Sequence, residues 1–138
     1  MAGLRIGYAI GNEKLISYLN DVKYSFNSYT MNMTSIELGV CSIEDDTYFK
    51  ETVQKVIDTR EWFVDELVKL GFRVLPSSAN FVFASHRTIP AKEIFERARQ
   101  NRIFVRYFDK PRINNFLRIS IGTREQMEKF VDFVKSMI

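Results

Sequence analysis

The sequence contains one cysteine and one histidine, Cys41 and His86, among its 138 residues. A single thiol excludes an intrachain disulfide. One thiol and one imidazole also argue against a structural zinc site and against Cys/His nucleophilic catalysis. No apolar run approaches the ~20 residues that a bilayer span requires, and residues 1–12 lack the basic start and long apolar stretch of a signal peptide. The expectation is a cytoplasmic chain with no membrane partner. Gly/Ser/Pro-rich linkers and internal repeats are missing too, so the chain should hold at most one complete domain, or one small core plus part of another.

What is present is the composition of a folding protein: 46% hydrophobic and 27% charged residues, which suggests neither disorder nor low complexity. Net charge is only +3, but it is unevenly spread, with 13 Lys or Arg against 6 Asp or Glu from Gly71 onward. Such a half attracts anions: a nucleic-acid backbone, a small molecule bearing phosphate or carboxylate, or only solvent counter-ions.

Periodicity divides the chain. Residues 5–10 (RIGYAI) read as a strand, closed by Gly11-Asn12, with Asn12 as N-cap of a helix through residue 23 that carries Leu15, Ile16, Leu19 and Val22 on one face. Residues 24–32 (YSFNSYTMN) read as a loop, and residues 33–43 as a second helix with Ile36, Val40 and Ile43 aligned. The acidic step at residues 44–47 suits the positive end of a long helix that stops at Gly71. Its apolar stripe runs from Phe49 and Val53 through Phe63 to Leu67 and Leu70.

Beyond Gly71 the pattern becomes strand, strand, helix, strand, strand, helix. The strands are expected at residues 72–75, 80–85 (NFVFAS), 103–108 (IFVRYF) and 116–121 (FLRISI), the first two antiparallel across the turn at residues 76–78. One helix starts near Pro90 and ends near Gln100, and the last opens with the capping box Thr123-Arg124-Glu125-Gln126. The expected fold class is α+β: a small sheet with helices on one face, preceded by a strand and helices from the end of a larger α/β domain. The domains are set at residues 1–46 and 47–138.

Three arginines are candidates for chemistry. Arg5, between Gly3 and Gly7, offers a guanidinium to a closely approaching phosphate, unless it is simply an exposed strand-edge residue. Arg118 alternates onto the face of Phe116 and Ser120; a charge inside an apolar strand calls for a partner, either a carboxylate ligand or a structural ion pair. Arg106 sits likewise with Phe104 and Phe108. Arg87 and Arg112 lie in turn-like, solvated surroundings, His86 reads as a loop histidine and Cys41 as a packed helix residue. Phe81, Phe83, Phe104, Tyr107, Phe108 and Phe116 among arginines could form a base-stacking platform, but aromatics at strand spacing are expected in the core, so no nucleic-acid partner is expected.

The stretches AGLRIGYAIGN (residues 2–12), SANFVF (residues 78–83) and FLRISIGTREQM (residues 116–127) resemble, in order, the C-terminal part of the fold-type I aminotransferases dependent on pyridoxal phosphate, the histidinol-phosphate branch in particular. The likeness runs over essentially the whole chain. It implies that Arg5 binds the cofactor phosphate, that Arg118 grips the substrate α-carboxylate, that Arg106 meets a substrate phosphate and that Asn80 lines the substrate side of the small domain.

The resemblance also implies a longer parent that moves an amino group between glutamate and a phosphorylated substrate in histidine biosynthesis. The lysine that carries pyridoxal phosphate as a Schiff base would stand a few residues before the first motif. Lys14 and Lys23, on an expected surface helix, are no substitute, so the chain by itself is expected to be inactive and to retain little cofactor. Two alternatives remain: a threonine-phosphate decarboxylase-like fragment, and a non-catalytic binding or assembly module. An unpaired apolar strand beside uncovered helices leads to the expectation of a homo-oligomer.

Overall fold

The computed structural model describes residues 2–138; Met1, which the first motif adjoins, lies outside the described residues. The chain forms two compact units, Met1–Lys50 and Glu51–Ile138.

In the first unit Ala2–Leu4 makes a single 3-10 turn, followed by α1 (Glu13–Phe26) and α2 (Met33–Glu44). The strand expected at residues 5–10 does not form. Arg5 takes a left-handed φ of 58°, and residues 6–12 carry no regular structure. An isolated strand leaves its backbone donors and acceptors unpaired, and no ladder partner exists among the described residues. Asn12 does cap α1, its side chain accepting from the Lys14 N–H at 3.0 Å. The helix continues three residues past its expected end, to Phe26. Ser25 and Ser28 there donate to the carbonyls of Val22 and Tyr24, so serine back-bonds along the last turns where composition suggested a loop. Asn32 caps α2 by accepting from Ser35 N–H at 2.7 Å. Neither expected apolar stripe is buried: Leu15, Leu19, Val22, Ile36, Val40 and Ile43 are all exposed. Cys41, expected to pack, is exposed as well.

A third helix, α3 (Asp46–Lys69), leads into the second unit. Gly71 ends it at φ 87°, a conformation glycine adopts without penalty. There follow β1 (Phe72–Leu75), β2 (Phe81–His86), α4 (Ala91–Gln100), β3 (Arg106–Tyr107), β4 (Leu117–Ser120) and α5 (Arg124–Lys135). The sheet order is β1-β2-β4-β3, and every neighbouring pair is antiparallel. α5 carries the full capping box between Thr123 and Gln126.

Burial alternates along β2, so that Val82 and Ala84 join Phe72, Leu117 and Ile119 in one core with Phe63 and Leu67 of α3, Ile94 and Ala98 of α4, and Phe130, Val131 and Val134 of α5. The period-2 pleat thus commits one sheet face to the helices. The strand expected at residues 103–108 shrinks to two residues for a local reason. Ile103 N–H closes the end of α4 on the Ala98 carbonyl at 2.8 Å, and Phe108 C=O accepts from Lys110 N–H in a turn.

His86 is not the loop histidine expected from the sequence. It ends β2, is 8% exposed, and its Nδ1 accepts from Ile89 N–H at 3.0 Å. A backbone N–H can only donate, so the proton sits on Nε2, which donates to the Leu70 carbonyl at 2.9 Å. The ring thereby pins β2 to the end of α3, and a Cβ on Gly71 would meet Nε2 at 3.1 Å.

Candidate functional site

The sheet face away from the helices carries the arginines. Register sets Phe83 beside Arg118 and Arg118 beside Arg106 in one row, Phe81 beside Ser120 in the next, and Arg73 beside Ser85 toward the β1 edge. Two of the expected site residues, Arg106 and Arg118, are therefore cross-strand neighbours. Like charges in that relation repel. Neither belongs to any ion pair among the described residues, so the structural ion pair weighed for Arg118 is not formed.

Aromatic rings take the place of carboxylates. The Arg118 guanidinium lies 5.3 Å from the Phe81 ring centre, and that of Arg106 lies 5.1 Å from Phe108. Phe83 stacks on Phe116 at 4.7 Å and meets Phe108 edge-on at 6.5 Å. These four phenylalanines are half-buried on the open face, where the sequence suggested core. Tyr107 instead packs toward the helices against Phe95, and Phe104 is 81% exposed, so the six aromatics do not make one platform.

Arg118 Nε is buried and has no hydrogen-bond partner among the described residues. An orphaned charged donor is costly. A planar anion with two oxygens would meet the accessible Nη groups of Arg118 and offset the Arg106–Arg118 repulsion.

Asn80 is elsewhere. It lines an open groove of about 440 Å³ with Val53, Val56, Arg60 and Ala79 on the helix side, while its carbonyl accepts from Ile121 N–H at 2.9 Å. Arg5 belongs to the first unit and is exposed; a Cβ at Gly3 or Gly7 would meet nothing within 4 Å, which leaves the approach to it open. Arg87 and Arg112 are solvated, as expected.

Three contacts had no counterpart in the sequence reading. Arg60 donates to the Ala79 carbonyl at 2.8 Å, Arg124 lies 3.4 Å over the Trp62 ring, and Arg73 shares the open face. Alternation applied to FRVL would have found Arg73; the other two link positions far apart in the chain.

Pyridoxal phosphate fits these residues only at its phosphate. Arg5 is accessible, but every lysine among the described residues is exposed, and none stands where burial could tune an amine. Among the described residues no cluster of His, Cys, Asp and Glu could hold a metal ion, and no helix is long and apolar enough to cross a membrane.

The pattern of the family "Aminotransferase class I and II" matches residues 1–134. Histidinol-phosphate aminotransferase of Clostridium botulinum (strain Langeland) is 49% identical over all 138 residues, which are 39% of its length. The crystal structure of histidinol-phosphate aminotransferase from Clostridium acetobutylicum superposes with a TM-score of 0.86 at 26% identity, over 99% of this chain and 42% of that one. A decarboxylase from Sulfurospirillum multivorans superposes with a TM-score of 0.82 at 25% identity, over 99% of this chain and 40% of that one. The chain thus spans about two-fifths of these relatives (39% for the first), and with a family match reaching from residue 1 to residue 134 it belongs to the class I and II aminotransferases.

Proposed function

We propose that the chain contributes the carboxylate- and phosphate-recognising half of a pyridoxal-phosphate aminotransferase of the histidinol-phosphate type, in which residues 1–46 end the large cofactor domain and residues 47–138 form the small domain. The observation that carries this reading is the Arg106–Arg118 pair, side by side with no carboxylate and with one buried Nε left over. The near-half identity to a histidinol-phosphate aminotransferase supports the substrate class.

Arg118 binds the α-carboxylate of the amino donor or acceptor through paired N–H donors and fixes the Cα that reacts. Arg106 adds positive charge where a phosphorylated substrate carries its second anion. Arg5 holds the cofactor phosphate, while Asn80, whose groove is lined by α3, takes no part in binding at the arginine pair. Bound there, pyridoxal phosphate supplies the electron sink for breaking a bond at Cα. Glutamate is the proposed amino donor, the enzyme is cytoplasmic, and the assembly is a homo-oligomer.

Kinetics of the polypeptide that contains this chain test the reading. Arg118→Ala should lower kcat/KM for glutamate and for histidinol phosphate by about 100-fold or more, the loss of a charge-assisted pair of ~3 kcal/mol. Arg106→Ala should affect histidinol phosphate by about 10-fold and spare glutamate. An equal effect of Arg106→Ala on both would rule out its phosphate role. The 138 residues assayed alone should transfer no amino group.

The similarity to a decarboxylase favours a second reading, a threonine-phosphate decarboxylase with the same arginines. Release of CO2 from threonine phosphate, without amino transfer to 2-oxoglutarate, would select it.

A further inference from the structure

We propose that Phe81 is a positioning residue that seats the Arg118 guanidinium so that its Nη/Nη end, and not its buried Nε edge, receives the substrate carboxylate. The inference rests on the reading of Arg118 as a carboxylate receptor and goes beyond it.

Phe81 pairs with Ser120 and Phe83 with Arg118, which makes Phe81 the diagonal neighbour of Arg118 on the open face, within reach of a long side chain. The guanidinium carbon lies 5.3 Å from the ring centre, inside the range of a cation–π contact. A ring attracts the cation through its π-face and consumes none of its five N–H donors. A carboxylate in the same place would occupy two donors and neutralise the charge that the ligand needs. The aromatic seat therefore restricts the rotamers of Arg118 and keeps its hydrogen-bonding capacity intact, which reduces the ordering cost of binding.

Burial selects the end. Of the guanidinium nitrogens, Nε alone is buried without a partner, out of reach of an incoming oxygen, so a carboxylate meets the two Nη groups.

The seat is itself held. Ser77 Oγ donates to the Phe81 carbonyl at 2.6 Å and accepts from Ala79 N–H at 3.1 Å, while Arg60 ties the Ala79 carbonyl to α3 at 2.8 Å. The backbone entering β2 has little freedom at Phe81.

The test is an arginine Nε–Hε correlation spectrum of the 15N-labelled full chain, titrated with glutarate as the carboxylate probe. In the wild-type chain the Arg118 Hε signal should be shifted upfield by the ring and move saturably as glutarate binds the Nη groups. Phe81→Leu should abolish the upfield shift and weaken glutarate about five-fold, the loss of a partly desolvated cation–π contact; Phe81→Tyr should restore both. Glutarate binding lost in Arg118→Lys but unchanged in Phe81→Leu would overturn the seat and leave the carboxylate reading standing. No upfield shift in the wild-type chain would overturn the seat without recourse to any variant. Glutarate bound equally by wild type and Arg118→Lys, or by neither, would sink the carboxylate reading and the seat with it.

Discussion

His86 is the one imidazole in the chain, and its surroundings leave it no chemistry to perform. Both ring nitrogens are engaged by backbone groups, Leu70 C=O on one side and Ile89 N–H on the other, and the ring packs edge-on against Phe72 at 4.9 Å. Replacing it by leucine fills much of the space but leaves two part-buried backbone groups, the Leu70 carbonyl and the Ile89 N–H, without this partner. His86→Leu should therefore destabilise the chain by ~2–3 kcal/mol in urea unfolding, because each buried unsatisfied group costs ~1–3 kcal/mol. A change below 0.5 kcal/mol, the scale of a neutral surface substitution, would show that the pin is dispensable. Arg118 is the opposite case at the same scale: its leftover donor is buried yet unsatisfied. The sequence exposed the anomaly of a charge in an apolar strand, but not which nitrogen is left over, since that depends on the neighbours the sheet brings to it.

At the scale of the element, the end of α4 shows a local rule met by an unfavourable residue. Ile103 N–H returns to the Ala98 carbonyl and Arg102 N–H to the Arg99 carbonyl, the paired closure in which a left-handed residue follows the helix. That residue is Arg102 at φ 59°, where glycine is favoured. Arg102→Gly should raise stability by ~0.5–1 kcal/mol, the relief of a left-handed Cβ less the extra freedom of the unfolded chain. Arg102→Ala should leave stability unchanged. Thermal melts of the two variants separate backbone strain from side-chain effects. The same closure explains why IFVRYF supplies only two strand residues. Helix starts, by contrast, were largely legible because a cap is a property of three or four adjacent residues: Asn12 and Thr123 each cap as the sequence indicated, while Asn32, read as the end of a loop, caps α2.

Across the whole molecule the two units differ in how much they bury. In Glu51–Ile138 the helices and the sheet share a core with Phe63, Leu67, Phe72, Val82 and Leu117 essentially inaccessible. In Met1–Lys50 the amphipathic helices α1 and α2 leave Leu15 63%, Val22 66% and Ile43 79% exposed. Apolar surface on that scale drives association. Light scattering at working concentration should report a mass above one chain, and Val22→Lys with Leu15→Lys should shift it downward; a monomer mass for the unmodified chain would contradict the proposed homo-oligomer.

The sequence by itself determined what depends on neighbours along the chain: the helices and their caps, the alternation that places Arg118 opposite Leu117 and Ile119, and the three motifs of the aminotransferase family. Tertiary structure decided what depends on residues far apart. It denied a strand to residues 5–10, because a ladder needs a second backbone, and it drew His86 from a loop into the core. It also set Arg106 beside Arg118, because cross-strand register is fixed only when β3 and β4 meet. The alternation of one strand assigns faces, but only the assembled sheet puts two guanidiniums and an aromatic ring on the same one.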